Sequence, residues 1–398
     1  MIIDRIRRSD TALTNRVECE IRPETGASDL AQIFASTEAP HSLEADPNGF
    51  LLGAFLPAWT AGERRIRVEG AICPLLASHL TIAASVFRTW FTDLPAPPSI
   101  EGDFEYRPPG TRTAAFLSGG VDSLAMVRSL TSLRPPGHPD RPSAAVVVDY
   151  QHVGGISREE TDARFTRSVA TSREVCAGMG LVVIPVRSNF CLLNGNMRFW
   201  MHRYHGAFLA SMAHFLGRDF RLFSIASSRP ATNLAPWGSH AQLDPFYSSQ
   251  HVRISHEGVE LSRLQKVEVL RDWPAALDRM YVCTSNTSNG VNCGICEKCV
   301  RTRLHLLVAG SLKAAGAFAG GDVSEGEVRA VRIRSDYACV AYEEALPHLR
   351  RLGRDDLAAA VEVVVGHYYY QSHAARQPPP RRSLVRRVAR KLRSALTR

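Results

Sequence analysis

Two groups of residues have the types and spacing to do chemistry. The first is Ser118-Gly119-Gly120-Val121-Asp122-Ser123, between the apolar run Ala114 to Leu117 and an amphipathic segment. A strand, a tight loop and a helix in succession aim backbone N–H groups and the positive end of a helix dipole at one spot, which suits phosphate oxygens. Gly119 and Gly120 permit positive φ and close backbone approach, and Ser118 and Ser123 add hydroxyl donors. Asp122, an anion like the phosphates, would meet them through a magnesium ion. The plainer alternative is a tight turn with Asp122 as a helix cap. The Gly-Lys-Ser/Thr ending of a Walker loop is absent. The second group is Cys283, Cys293, Cys296 and Cys299, spaced C-x9-C-x2-C-x2-C. Four thiolates so placed can close a tetrahedral structural zinc site, and an iron–sulfur cluster would accept the same ligands.

The elements that must hold these groups follow from the hydrophobic pattern. From Thr113 apolar runs alternate with helix-length segments, which predicts an α/β fold with a doubly wound parallel sheet. Strands are expected at Ala114 to Leu117, Ala144 to Asp149, Leu181 to Val186 and Arg221 to Ile225. Helices are expected over Ser123 to Leu133, Arg158 to Met179 and Arg203 to Leu216. The Pro-rich stretch from Pro95 to Gly110 marks a boundary. It divides an α+β N-terminal extension over 1–105, with alternating runs at Val17 to Ile21 and Arg65 to Val68 and a helix over Leu75 to Phe91, from a core domain over 111–305. A helical region over 306–372 and a basic amphipathic tail over 376–398 complete the chain.

The 398 residues are 45% hydrophobic and 22% charged, an ordinary globular balance. The net charge of +9 is local: Arg376 to Arg398 holds nine Lys or Arg and no acid, leaving 39 basic against 39 acidic residues elsewhere. Any attraction to polyanions therefore rests on the tail. The longest apolar stretch, Ala71 to Phe87, is broken by Pro74 and His79, and MIIDRIRRSD places charges where a signal peptide would be apolar. A cytoplasmic protein is the expectation, and the nine cysteines then read as thiols or metal ligands rather than a disulfide framework.

SGGVDS resembles the SGGxDS signature of the N-type ATP pyrophosphatases of the PP-loop superfamily, and the resemblance covers about Ala114 to Arg303. It implies a HUP-like fold and cleavage of ATP between the α and β phosphates, with adenylation of an acid or amide oxygen and displacement of AMP by a nucleophile. It also implies adenine and ribose contacts at Val147, Val148, Asp149 and Tyr150; Val147 and its neighbours equally suit a buried strand. CGICEKCVRTR, with Cys283 ten positions upstream, is similar to the zinc-binding ending of the 7-cyano-7-deazaguanine synthase family. Those enzymes use ATP and ammonia to convert a carboxyl-bearing deazaguanine to a nitrile. Glu260 to Val267, with Arg263 and Lys266, looks like that family's strand-to-helix stretch. The family's Arg-Asn pair and Pro-Asp-Cys-Arg turn are replaced by HGAFLASMAHFL and GSHAQLDPFYSS, which leaves the substrate open.

Other residues admit two readings each. His202 and His205 share a helix face with Tyr204 nearby and His214 further on, and suit metal binding, acid–base work or plain packing. Asp244 can contact substrate or magnesium, or make a turn before Pro245. Cys191 is a sulfur-carrying nucleophile or a buried thiol. The tail stripe of Leu384, Val385, Val388, Leu392, Ala395 and Leu396 suits an anionic membrane, RNA or a partner, or a frayed end. The expected activity is an ATP-dependent ligase using ATP, Mg2+ and Zn2+, acting on a small-molecule acid or amide and an amine donor. A tRNA or protein substrate stays open, as does a homo-oligomer. The competing functions are tRNA thiolation and a non-catalytic ATP-binding regulator.

Overall fold

The computed structural model describes residues 1–25, 30–150, 157–283, 292–318 and 321–376. Among them the strands are β1 (Ile2–Asp10), β2 (Thr14–Arg22), β3 (Ala31–Glu38), β4 (Arg65–Ile72), β5 (Ser99–Phe104), β6 (Arg112–Phe116), β7 (Ala144–Tyr150), β8 (Val182–Ser188), β9 (Phe220–Ala226) and β10 (Arg253–Glu257). The helices are α1 (Pro47–Thr60), α2 (Pro74–Trp90), α3 (Val121–Leu133), α4 (Arg158–Cys176), α5 (Met197–Phe199), α6 (His205–Phe215), α7 (Arg263–Leu270), α8 (Pro274–Arg279), α9 (Glu297–Val308), α10 (Glu325–Arg329), α11 (Asp336–Arg351) and α12 (Asp355–Arg376). The chain is thus α/β with a helical C-terminal region. No helix among the described residues is long and apolar enough to cross a membrane.

All ten strands join one mostly parallel sheet, in the order β10-β9-β6-β7-β8-β3-β2-β1-β4-β5. Strand side chains alternate between its faces. Ala114 and Phe116 of β6 enter the layer made with α1, α2 and α6. Ala115 of β6 and Leu117 just beyond it enter the layer made with α3, α4, α7, α9, α11 and α12. This two-sided burial explains why β6 to β9 read as continuous apolar runs. Those four strands fall where the sequence places them, and β10 adds a fifth parallel member, paired with β9.

The N-terminal strands continue the same sheet. β3 pairs antiparallel with β8, Ala35 opposite Ser188 and Thr37 opposite Val186. The Thr37 hydroxyl donates to the Pro185 carbonyl at 2.6 Å, and Asn189 Oδ1 accepts from Phe34 N at 2.7 Å. A parallel sheet ending at β8 would leave a row of unpaired N–H and C=O groups, and the N-terminal strands cover that edge. α1, apolar on all sides, lies against α6 through two glycines: a methyl group on Gly49 would meet the Phe215 ring at 2.5 Å, and one on Gly53 would meet Ser211 Oγ at 2.9 Å and clash with the ring of Phe190. Tyr204 and Ser211 use the same close approach to donate to the Gly53 and Gly49 carbonyls, at 2.5 and 2.7 Å.

The helical C-terminal region belongs equally to the main body. His305 of α9 bonds the Ala341 carbonyl of α11 at 2.8 Å, and Leu264 N of α7 donates to Glu344 of α11 at 3.1 Å.

Candidate functional site

The chain passes from β6 to β7 and β8 on one side, then returns to place β9 and β10 on the other side of β6. The strand order therefore reverses between β6 and β9. In an open α/β sheet the crevice outside the carboxyl ends of the strands at such a point is where ligands bind. SGGVDS occupies that position, between the end of β6 and the start of α3. Ser123 Oγ accepts from Ser118 N at 3.2 Å, donates to the Gly120 carbonyl at 3.1 Å and lies 3.1 Å from Ser118 Oγ. The two hydroxyls expected to face phosphate thus also brace the loop. Gly119 has a φ of +76° and open space where a side chain would be. Gly120 precedes α3 with no side chain to cap it, so the first N–H groups of that helix keep their capacity for an outside acceptor.

Behind the loop stands a group of cations. α7 opens with a capping box between Ser262 and Gln265, which turns Arg263 and Lys266 inward. Arg263 Nη1 lies 3.0 Å and Lys266 Nζ 3.5 Å from Asp122 Oδ1, and Lys266 also donates to the Ser227 carbonyl beyond β9 at 2.7 Å. Burial raises the Asp122 pKa, but Arg263 and then Lys266 outweigh it and hold the carboxyl below its ordinary value. Asp122 keeps 26% of its side chain exposed, and both ion pairs use Oδ1. Oδ2 stands outside both ion pairs.

Two further elements reach the same place. Arg301 of α9 is 3% exposed and stacks over the ring of Tyr337 at 5.0 Å. Arg229, after β9, covers the same ring at 5.5 Å and grips Asp336 with two bonds of 3.0 Å. Arg263 Nε, Arg301 Nε and Nη1 and the Tyr337 hydroxyl are buried without a hydrogen-bond partner. Arg301 Nε does lie 3.1 Å from Glu297 Oε1, near enough for charge attraction but out of line for a hydrogen bond. Each unmet buried donor costs about 1–3 kcal/mol. The four, three of them on arginines, gather around Asp122 and Tyr337 and lack an acceptor among the described residues. Arg301 stands inside a quoted motif, but Arg229 and Tyr337 carry no local signal; only the fold brings them here.

The cysteines gather as their spacing predicts. The four Sγ atoms of Cys283, Cys293, Cys296 and Cys299 lie within 4.8 Å of one another, with Cys283 to Cys296 at 4.0 Å and Cys293 to Cys299 at 3.9 Å. Zinc–sulfur bonds of about 2.3 Å in a tetrahedron set the sulfurs about 3.8 Å apart, so the group can hold a metal ion. Asn292 aligns it, accepting from Val282 N and Cys283 N at 2.9 and 3.2 Å and donating to the Met280 and Ala317 carbonyls at 2.9 and 3.0 Å. Gly294, at φ +76°, makes the turn between thiols, and Cys296 N donates to Cys293 Sγ at 3.3 Å. α9 starts directly after Cys296, so the thiol cluster also sets the position of Arg301.

No protein-family model, curated protein or solved structure matches the chain. Val147 is 1% exposed and belongs to the core, and Val148 is half-buried in β7. Asp149 is buried and accepts from Arg187 at 3.1 Å; the side chain of Tyr150 lies outside the described residues. Cys191 is buried, and burial, with Asp149 nearby, pushes its thiol up to about 12, so it is not a thiolate.

His202, in the turn before α6, and His205, the first residue of α6, stand beside Trp237, with ring centroids 4.8 and 6.1 Å away. Burial lowers the pKa of both, favouring neutral imidazoles. His214 is a core residue bonded to the Ala210 carbonyl at 2.8 Å, far along α6 from the other two. Asp244 is fully buried and accepts from Ser239 Oγ at 2.6 Å, from His240 N at 3.2 Å and from His256 Nδ1 at 2.7 Å, which makes it an organising anion rather than a mere turn residue. A recess of about 280 Å³ between α1, α2 and β5 has no charged side chain in its lining and lies in the N-terminal layer. The tail stripe from Leu384 to Leu396 lies outside the described residues.

Proposed function

We propose that the chain is an ATP-dependent ligase of the 7-cyano-7-deazaguanine synthase-like type within the PP-loop superfamily, with a HUP-like core. The observation that carries this reading is the convergence of SGGVDS with unpaired buried arginine donors at the switch point of the sheet. In the proposed reaction a carboxyl or amide oxygen of a small substrate attacks the α-phosphorus of ATP. The bond from that phosphorus to the bridging oxygen breaks, and pyrophosphate leaves. Ammonia or an amine then attacks the activated carbon, AMP departs with the oxygen, and the nitrogen gives up a proton.

The chain's part is positioning and charge neutralisation. The loop N–H groups with Ser118 and Ser123 would hold the phosphates, Arg263, Lys266 and Arg301 would neutralise the departing pyrophosphate, and Asp122 would hold magnesium. Magnesium, when bound, supplies Lewis-acid polarisation of phosphoryl oxygens. The four thiols would hold zinc in a closed site, with a structural role. The thiolation alternative rests largely on Cys191, and a buried, protonated thiol argues against it.

The test is incubation with ATP, Mg2+, ammonium and a panel of carboxylic acids, with nucleotide products resolved by chromatography. AMP and pyrophosphate are expected in the presence of the right acid. Release of ADP alone with every acid would sink the mechanism.

A further inference from the structure

We infer that the helical C-terminal region completes a polyphosphate-binding recess, and that the Tyr337 hydroxyl donates to an anionic oxygen of its ligand. This deepens the reading above and rests on the same site, but it concerns a residue that lies beyond the loop and thiol motifs. Tyr337 sits in the first turn of α11, whose remaining length is anchored on α7 and α9. The guanidinium groups of Arg229 and Arg301 lie 5.5 and 5.0 Å from the centre of its ring. The ring is partly exposed, yet the hydroxyl is fully buried and has no partner. A phenol whose function was only packing could be phenylalanine; a buried hydroxyl is retained without cost only where something accepts from it.

The neighbours define the acceptor. Arg301 Nη1, with two N–H groups, and Arg263 Nε, with one, are likewise buried and unmet, while Arg301 Nε faces Glu297 Oε1 at 3.1 Å. Asp122, the loop carboxylate, is paired on Oδ1 with Arg263 and Lys266 and accepts no hydrogen bond from the phenol. Three guanidinium N–H groups and one phenolic O–H match a compact group with several oxygens and more than one negative charge. Pyrophosphate and the β and γ phosphates of a nucleotide share that chemistry. A carboxylate has two oxygens and would leave donors unmet.

The experiment uses the full chain and inorganic pyrophosphate, with ATP as a second probe, in calorimetric titration and thermal unfolding. The Tyr337→Phe protein is expected to match or exceed the wild-type Tm without ligand, since it loses an unpaired hydroxyl. It is also expected to bind pyrophosphate about tenfold more weakly, the loss of one hydrogen bond to a charged acceptor. Arg301→Gln should weaken binding at least as much. Wild-type affinity in Tyr337→Phe, a clear fall of its unliganded Tm, or no pyrophosphate binding by the wild type would each overturn the inference. Binding of ATP but not of pyrophosphate would assign the recess to the intact nucleotide and keep the role of Tyr337 if Tyr337→Phe weakens it. Failure to form AMP with Tyr337-dependent pyrophosphate binding intact would sink the ligase reading alone.

Discussion

Asp122 shows how one side chain can serve both stability and chemistry. Its carboxylate neutralises Arg263 and Lys266, which are 7% and 2% exposed and could not remain buried as unpaired cations. Burial pulls Lys266 below its ordinary pKa and Asp122 opposes that pull, so the pair is strongly interdependent. Asp122→Ala is therefore expected to act twice. On the proposed mechanism, in which Asp122 would hold magnesium, product formation should fall by about 100-fold or more. Stability should fall by about 1–3 kcal/mol, less than for a fully buried pair because a quarter of the Asp122 side chain meets solvent. Asp122→Asn separates the two effects, since it restores a polar acceptor but not the charge; urea midpoints recovering in part while AMP formation does not recover is the expected pattern. The glycines, serines and carboxylate of the loop are legible because their types are needed in sequence order. Tyr337 and Arg229 are not, because their chemistry arises from a meeting of segments more than a hundred residues apart in the chain.

At the scale of elements, legibility follows burial. β6 to β9 are covered on both faces and read as apolar runs, whereas β10 carries Arg253, Ser255, His256 and Glu257 and has no such pattern. α6 starts later than its periodicity suggests because a wider π-type turn at Trp200–Tyr204 precedes it, turning His202 toward Trp237. The antiparallel pairing of β3 with β8 is likewise invisible locally, since edge coverage is a property of the whole sheet. α9 is the element where structure and function are most tightly joined. Its start is set by the thiol cluster, and it carries both Arg301 and Arg303; the latter bonds the Gly294 carbonyl at 3.0 Å and Glu327 at 2.6 Å. Cys296→Ser is therefore expected to lose bound metal by elemental analysis and several degrees of Tm, and to weaken pyrophosphate binding although residue 296 touches no phosphate. Treating the wild type with a chelator should reproduce all three effects. A metal-depleted wild type with unchanged Tm would show that the thiols pack without a metal.

At the scale of the molecule, the sheet separates two cores, and each contains a neutral buried histidine. His214 lies in the layer of α1 and α6, where burial lowers its pKa to about 4. His305 lies in the opposite layer, where burial lowers its pKa to about 3. Each carries one unmet ring nitrogen, His214 Nε2 and His305 Nδ1, and neither has a carboxylate hydrogen-bonded to it to hold a proton. Unfolding releases both to the ordinary imidazole value near 6.5. Because the folded values are lowered, the stability they contribute is fully present above that value. It is lost as pH falls below it, at up to about 1.4 kcal/mol per pH unit for each histidine, until the folded values are reached. His202, His205 and His240, also lowered by burial, add in the same direction. Carboxylates contribute chiefly below about pH 5. Between pH 7 and pH 5 the urea midpoint should therefore fall markedly, with net proton uptake on unfolding, and the two cores should destabilise together. His305→Gln should flatten the slope without removing it, because His214 continues to titrate on the other face of the sheet. A midpoint constant over that range would overturn the neutral state of both imidazoles in the folded chain; for His214 the buried Asp46, paired with the neighbouring His251, is the anion that opposes the effect of burial.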